Sequence, residues 1–149
     1  MYSVFKGHSK EYGKNSRDFG GIGYNFLILV DGTVQIGRDL GNWNANHTKG
    51  NANYEAIGIS WCGGTPNSGK GAEDHRTSQQ KQAMHNLVNA LKKTYGITRV
   101  VGHRNCIAEM ASSTWQEPKY SRSSGAKGCP CFDAAAEFGY NPPGKNKPG

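Results

Sequence analysis

No stretch of this chain stays apolar for long. The longest such run, Phe26 to Val30, is five residues, against the roughly 20 that a membrane-spanning helix needs. The start, Met1-Tyr2-Ser3-Val4-Phe5-Lys6, lacks the apolar core of a secretory signal, which predicts cytoplasmic synthesis. Cysteine is sparse and poorly spaced for a zinc knuckle: Cys62, Cys106, Cys129 and Cys131 contain no Cys-x-x-Cys pair. In a reducing compartment these are expected to be thiols or metal ligands rather than disulfides. There is no internal repeat, no arginine cluster and no compact basic helix. The formal charge of +7 is spread over Lys6, Lys10, Lys14, Arg17, Lys92, Lys93, Lys119, Arg122 and Lys127, among others. That scatter argues against direct nucleic-acid readout. An acidic polymer such as a cell wall suits it better.

What is present is enough for one domain. A chain of 149 residues can bury a core without disulfide help. The hydrophobic share of 35% and the 21 glycines describe a loop-rich globular protein rather than a helical bundle. Residues 1–139 read as the domain, and 140–149, with prolines and lysines, as a disordered tail. Long apolar-poor stretches run from Gly63 to Arg76 and from Asn105 to Lys127, and long loops in compact domains are usually functional.

The elements follow from local pattern. Ser3 to Tyr12 can be a short helix stopped by Gly13. Tyr24 to Val30 reads as a strand buried on both faces, and Asp31-Gly32 as a hairpin signal. Thr33 to Asp39 is then the returning strand. Leu40 to Tyr54, rich in asparagine, reads as a surface loop, and Ala56 to Cys62 as the next strand. Thr77 and Gln80 form a capping box. Ala83, Met84, Leu87, Val88, Leu91 and Tyr95 recur at helical spacing up to Gly96. His8 reads as packing, His75 and His85 as exposed, and Cys131 as core. Arg99 to Val101 is expected to be a strand and Phe132 to Phe138 a short helix. The order predicts an α/β fold, a single mixed sheet flanked by helices.

The chemistry is concentrated between Arg99 and Asp133. Val100-Val101-Gly102-His103 reads as a strand delivering an imidazole, and Cys129-Pro130-Cys131 as a turn opening a helix. Zinc accepts imidazole nitrogen and thiolate sulfur, and a catalytic zinc takes three protein ligands and leaves one position open. His103 and Cys129 supply two.

Six pieces occur in one order: Gly23-Tyr24-Asn25-Phe26-Leu27-Ile28, Asp31-Gly32-Thr33-Val34, Gly37-Arg38-Asp39, Ala56-Ile57-Gly58-Ile59 with Gly63-Gly64, Gly102-His103-Arg104, and Cys129-Pro130-Cys131-Phe132-Asp133. Together they resemble the zinc-dependent N-acetylmuramoyl-L-alanine amidases of the phage-lysozyme type, related to peptidoglycan recognition proteins. The resemblance spans about residues 3 to 138. It implies an amidase-like fold and a zinc held by two histidines and a cysteine. It also implies cleavage of the amide between N-acetylmuramic acid and L-alanine, as in a phage or prophage endolysin that reaches the cell wall after release.

By motif, His103 resembles the second histidine ligand and Cys129 the cysteine ligand. Tyr24 resembles the catalytic tyrosine, Lys127 the lysine that stabilises the oxyanion, and His47 a histidine lining the substrate cleft. In the family the first histidine ligand closes a strand that precedes the first helix. This chain begins inside what resembles that helix, whose His8 is not a ligand in relatives, so that strand is expected to have no counterpart here. Self-association or a partner chain is expected to cover the strand edges this leaves. The alternative function is a non-catalytic amidase-like module that grips muropeptide or a protein partner.

Overall fold

The computed structural model describes residues 22–40, 56–63, 74–103 and 130–141. Three short strands lie in the order β2-β1-β3: β1 is Phe26–Ile28, β2 is Val34–Ile36 and β3 is Ile59–Trp61. β1 pairs antiparallel with β2, Leu27 facing Gln35, and parallel with β3, Leu27 facing Ser60. The sheet is therefore mixed. Two helices follow, α1 over Ser78–Tyr95 and α2 over Ala134–Glu137. One compact unit holds the three strands and α1 as far as Ala83; a second holds α1 from Met84 together with α2.

In the first unit β1 is the centre, and Leu27 and Ile28 are fully buried. The ladder is shorter than the apolar run suggests. After Ile28 the chain turns: Gly32 N–H donates to Leu29 C=O at 2.9 Å, and Leu29 N–H to Thr33 C=O at 2.8 Å. Val30 thus falls in the turn and is exposed rather than buried. Gly32 sits at φ +86, and a Cβ there would lie 2.8 Å from Gln79 C=O. Glycine meets both demands, left-handed backbone and close approach. Asp31 Oδ1 accepts Thr33 N–H at 2.9 Å. That bond, with one from the Thr33 hydroxyl, holds the exposed Asp31 carboxyl below its ordinary pKa.

α1 starts where the capping box places it. Thr77 N–H donates to Gln80 Oε1 at 3.0 Å and Gln80 N–H to Thr77 Oγ1 at 3.1 Å. The Thr77 hydroxyl itself donates to Val30 C=O at 2.7 Å. Gln80 is buried, and its Nε2 donates to Cys62 C=O at 2.8 Å and to Ile28 C=O at 3.4 Å. The start of the helix is thereby tied to the ends of β1 and β3.

In the second unit Met84, Val88 and Leu91 form the buried stripe of α1, at the spacing of one helix face. Tyr95, expected in that stripe, is 57% exposed, because the helix ends with it and Gly96 reverses the chain at φ +65. α2 begins at Ala134, two residues later than the pattern suggests. Asp133 is its N-cap, accepting Ala136 N–H at 3.0 Å, and Cys131 stands at φ +74 in the preceding turn. Cys131 is consequently half-buried rather than core. His85, expected to be exposed, is half-buried: its Nε2 lies 3.1 Å from Glu137 Oε1 and its ring 4.8 Å from that of Phe138. Lys92 Nζ donates to Phe138 C=O at 3.1 Å, so this lysine secures α2 besides complementing the C-terminal end of its own helix. Residues 99–101 form no strand, and Arg99 there is exposed. Cys62 and Cys131 are thiols rather than disulfide partners. The expected helix over 3–12 lies outside the described residues, and no described helix is long and apolar enough to cross a membrane.

Candidate active site

Tyr24 stands just before β1, at the end of the sheet where β1 and β3 begin and β2 finishes. Its backbone is clamped from one side by β2 through Arg38 N–H, which donates to Tyr24 C=O at 2.8 Å. Gly37 makes that approach possible. A Cβ on Gly37 would collide with the Tyr24 carbonyl oxygen and sit 2.9 Å from Ile22 Cγ2. Only the residue without a side chain lets β2 close on Tyr24 here.

The next residue, Asn25, is 2% exposed. Its Nδ2 donates to Arg38 C=O at 3.0 Å and Asp39 C=O at 3.3 Å, and its Oδ1 accepts Gly58 N–H at 2.8 Å. Its main chain is engaged as well. Asn25 N–H donates to Gly58 C=O at 2.9 Å, and Asn25 C=O accepts Gly37 N–H at 2.9 Å. One buried amide thus bridges the exit of β2 and the entry of β3. A buried amide is tolerated because each polar atom has a partner. Sequence reading passed over Asn25, although a polar residue inside a run expected to be buried on both faces is itself a signal.

Among the other expected residues, His103 is half-buried and follows buried Gly102. Tyr24 belongs to the first compact unit and His103 to the second. His47, Lys127 and Cys129 lie outside the described residues. The donor chemistry of His103 and Cys129, imidazole and thiolate, fits zinc. Among the described residues no group of three or more His, Cys, Asp or Glu side chains gathers to hold a metal. A shallow groove lined by Leu29, Val30, Asp31, Cys62, Thr77 and Gln79 lies at the opposite end of the sheet. Neither Tyr24 nor His103, the two expected site residues among the described ones, borders it.

This small mixed sheet with helices is the fold of solved endolysin amidases. The endolysin N-acetylmuramoyl-L-alanine amidase LysCS from Clostridium intestinale URNW aligns with a TM-score of 0.55 at 23% identity, covering 81% of this chain and 66% of that one. The amidase LysC from the same organism aligns at 0.54 and 22% identity, with 81% and 67% covered. The family model described as N-acetylmuramoyl-L-alanine amidase matches residues 4–130, and the chain belongs to that family. The endolysin of Enterobacteria phage K11 is 33% identical over 84 residues, 56% of this chain and 54% of that protein. The endolysin of Escherichia phage T7 is 36% identical over 77 residues, 50% of this chain and 47% of that protein. The chain spans about half the length of these curated relatives.

Proposed function

We propose that this protein is a phage-type peptidoglycan hydrolase that cleaves the amide between N-acetylmuramic acid and L-alanine. The observation that carries the reading is the family match over residues 4–130. That span includes all five residues expected to do the work: Tyr24, His47, His103, Lys127 and Cys129. The endolysin relatives, and a net charge of +7 suited to an anionic wall polymer, support it.

In this reading His103 and Cys129 hold a zinc ion through imidazole nitrogen and thiolate sulfur. A bound zinc supplies Lewis-acid polarisation of a carbonyl and lowers the pKa of water toward neutrality. The chain's own residues do the rest. Tyr24, from a backbone fixed between β2 and β3, orients the attacking water and relays a proton at its phenol oxygen. Lys127 places positive charge where the carbonyl oxygen becomes an oxyanion, a contact of a type worth roughly 3–4 kcal/mol. His47 lines the cleft and positions the muropeptide. Such positioning matters because small displacements of reacting groups cost large factors in rate.

The test is product chemistry. Purified peptidoglycan is digested with the chain and the products are identified by mass spectrometry. The proposal expects new L-alanine amino termini and intact glycan strands carrying free lactyl carboxylates. New reducing sugar ends, or tight binding to the wall with no bond cut, would contradict it; the latter outcome would make the protein a binding module.

A further inference from the structure

We infer that Asn25 is the positioning residue for Tyr24: its buried amide sets the backbone from which the catalytic phenol projects. The inference rests on the reading of Tyr24 as catalytic and extends it to a residue that makes no contact with the reacting atoms.

The geometry is specific. Tyr24 precedes the ladder, and residues just outside a ladder ordinarily fray. Here the fraying is stopped from both flanks by one side chain. Nδ2 reaches Arg38 C=O and Asp39 C=O beyond the end of β2 (3.0 and 3.3 Å), while Oδ1 takes Gly58 N–H ahead of β3 (2.8 Å). These three bonds use both donors and the acceptor of the amide. Neither an acid nor an aliphatic side chain of the same size reproduces the set. The main chain repeats the pattern, with Arg38 N–H on Tyr24 C=O and Gly58 C=O accepting both Asn25 N–H and Phe26 N–H. If the amide is lost, the β2 exit and the β3 entry lose the side chain that joins them and keep only main-chain bonds, and Tyr24 lies between them. A purely structural amide could sit anywhere in the sheet. This one sits next in sequence to the tyrosine and joins the exit of β2 to the entry of β3 through a single side chain.

The experiment uses the full chain with ring-labelled tyrosine, observed by carbon NMR. Tyr24→Phe assigns the Tyr24 signal among the seven tyrosines. Asn25→Leu removes all three bonds. Asn25→Asp keeps the acceptor for Gly58 N–H but sets a carboxylate against two carbonyl oxygens, which burial and like dipoles disfavour. On acidification the neutral acid regains a donor. Thr77→Ala serves as a stability control, since it removes a helix cap and the tie to Val30 at the other end of β1.

The expected result is a displaced or broadened Tyr24 signal in Asn25→Leu. In Asn25→Asp the signal should be displaced at pH 8 and return toward the wild-type position as pH falls toward 5. Turnover of peptidoglycan in Asn25→Leu should fall roughly 10- to 100-fold in kcat, with KM within about two-fold. Thr77→Ala should lower the melting temperature without moving the Tyr24 signal. An unmoved Tyr24 signal in Asn25→Leu, or one that moves equally in Thr77→Ala, overturns the inference whatever Tyr24→Phe does. Full turnover in Tyr24→Phe overturns the catalytic reading instead, so the two failures are told apart.

Discussion

Two buried amides occupy opposite ends of the same three-stranded sheet. Gln80 is 1% exposed and Asn25 is 2% exposed, and each spends its amide on main-chain groups of two strands or their continuations. At the Gln80 end the donor bonds run to Ile28 and Cys62 C=O, and the acceptor closes the cap of α1. At the Asn25 end the bonds join residues after β2 to a residue before β3. The chemistry is the same and the consequence differs. One amide anchors a helix to a sheet and has an exposed turn for a neighbour. The other fixes the segment that carries Tyr24. The comparison teaches that a buried polar side chain must be judged by what it immobilises as well as by whether it is satisfied.

The comparison breaks outright if the chemistry does not depend on the expected ligands. His103→Ala and Cys129→Ala are expected to lose most bound zinc and to reduce peptidoglycan turnover to background. Elemental analysis of the purified variants checks the first, and a turbidity assay the second. Wild-type zinc content in both variants would remove the metal assignment.

The next largest effect should fall at the other end of the sheet. Gln80→Ala takes the side-chain donor from Cys62 C=O and the weaker of two donors from Ile28 C=O, which keeps Cys62 N–H, and opens the capping box. It is expected to cost about 2–4 kcal/mol of stability, read from denaturant midpoints at unchanged slope. Turnover per folded molecule should stay as it was. Thr77→Ala removes the hydroxyl that caps Gln80 N–H and donates to Val30 C=O, and is expected to cost about 1–2 kcal/mol.

The difference in how these two amides were read shows how much the sequence discloses. Gln80 was legible because its first partner, Thr77, lies three residues away and capping boxes are local patterns. Asn25 was not, because its partners lie 13 to 33 residues off, and no local rule links them. The hairpin at Asp31-Gly32 and the stop at Gly96 were likewise legible from single residues. The extent of β1 was not: Leu29 and Val30 continue the apolar run, but turn bonds to Gly32 and Thr33 end the ladder first. The start of α2 was misplaced for the same kind of reason, since Asp133 takes the N-cap and Cys131 turns the chain ahead of it. The fold class could be read from element order, whereas the site was legible chiefly as a set of motif positions.

The smallest expected effect sharpens the comparison by isolating the turn beside Gln80. Asp31 has its pKa lowered mainly by the Thr33 N–H and hydroxyl. A depressed carboxyl contributes stability above its unfolded pKa, and that contribution is lost as pH falls through the lower folded value. The window therefore opens below about pH 4. Asp31→Asn keeps an acceptor for Thr33 N–H but does not titrate. Its stability should vary less with pH across that window, match wild type at low pH where the contribution is already lost, and fall slightly below wild type above it. A variant as stable as wild type at neutral pH would mean that the Asp31 charge adds nothing to the turn.

The central claim is that the Tyr24 end of the sheet carries chemistry while the Gln80 end carries stability. The most direct measurement takes peptidoglycan turnover and the denaturant midpoint on the same preparations of Tyr24→Phe and Gln80→Ala. Tyr24→Phe is predicted to lose roughly 100-fold or more in turnover with its midpoint unmoved. Gln80→Ala is predicted to lose its midpoint with turnover per folded molecule unmoved. Wild-type turnover in Tyr24→Phe, or the two quantities falling together in both variants, would contradict the division.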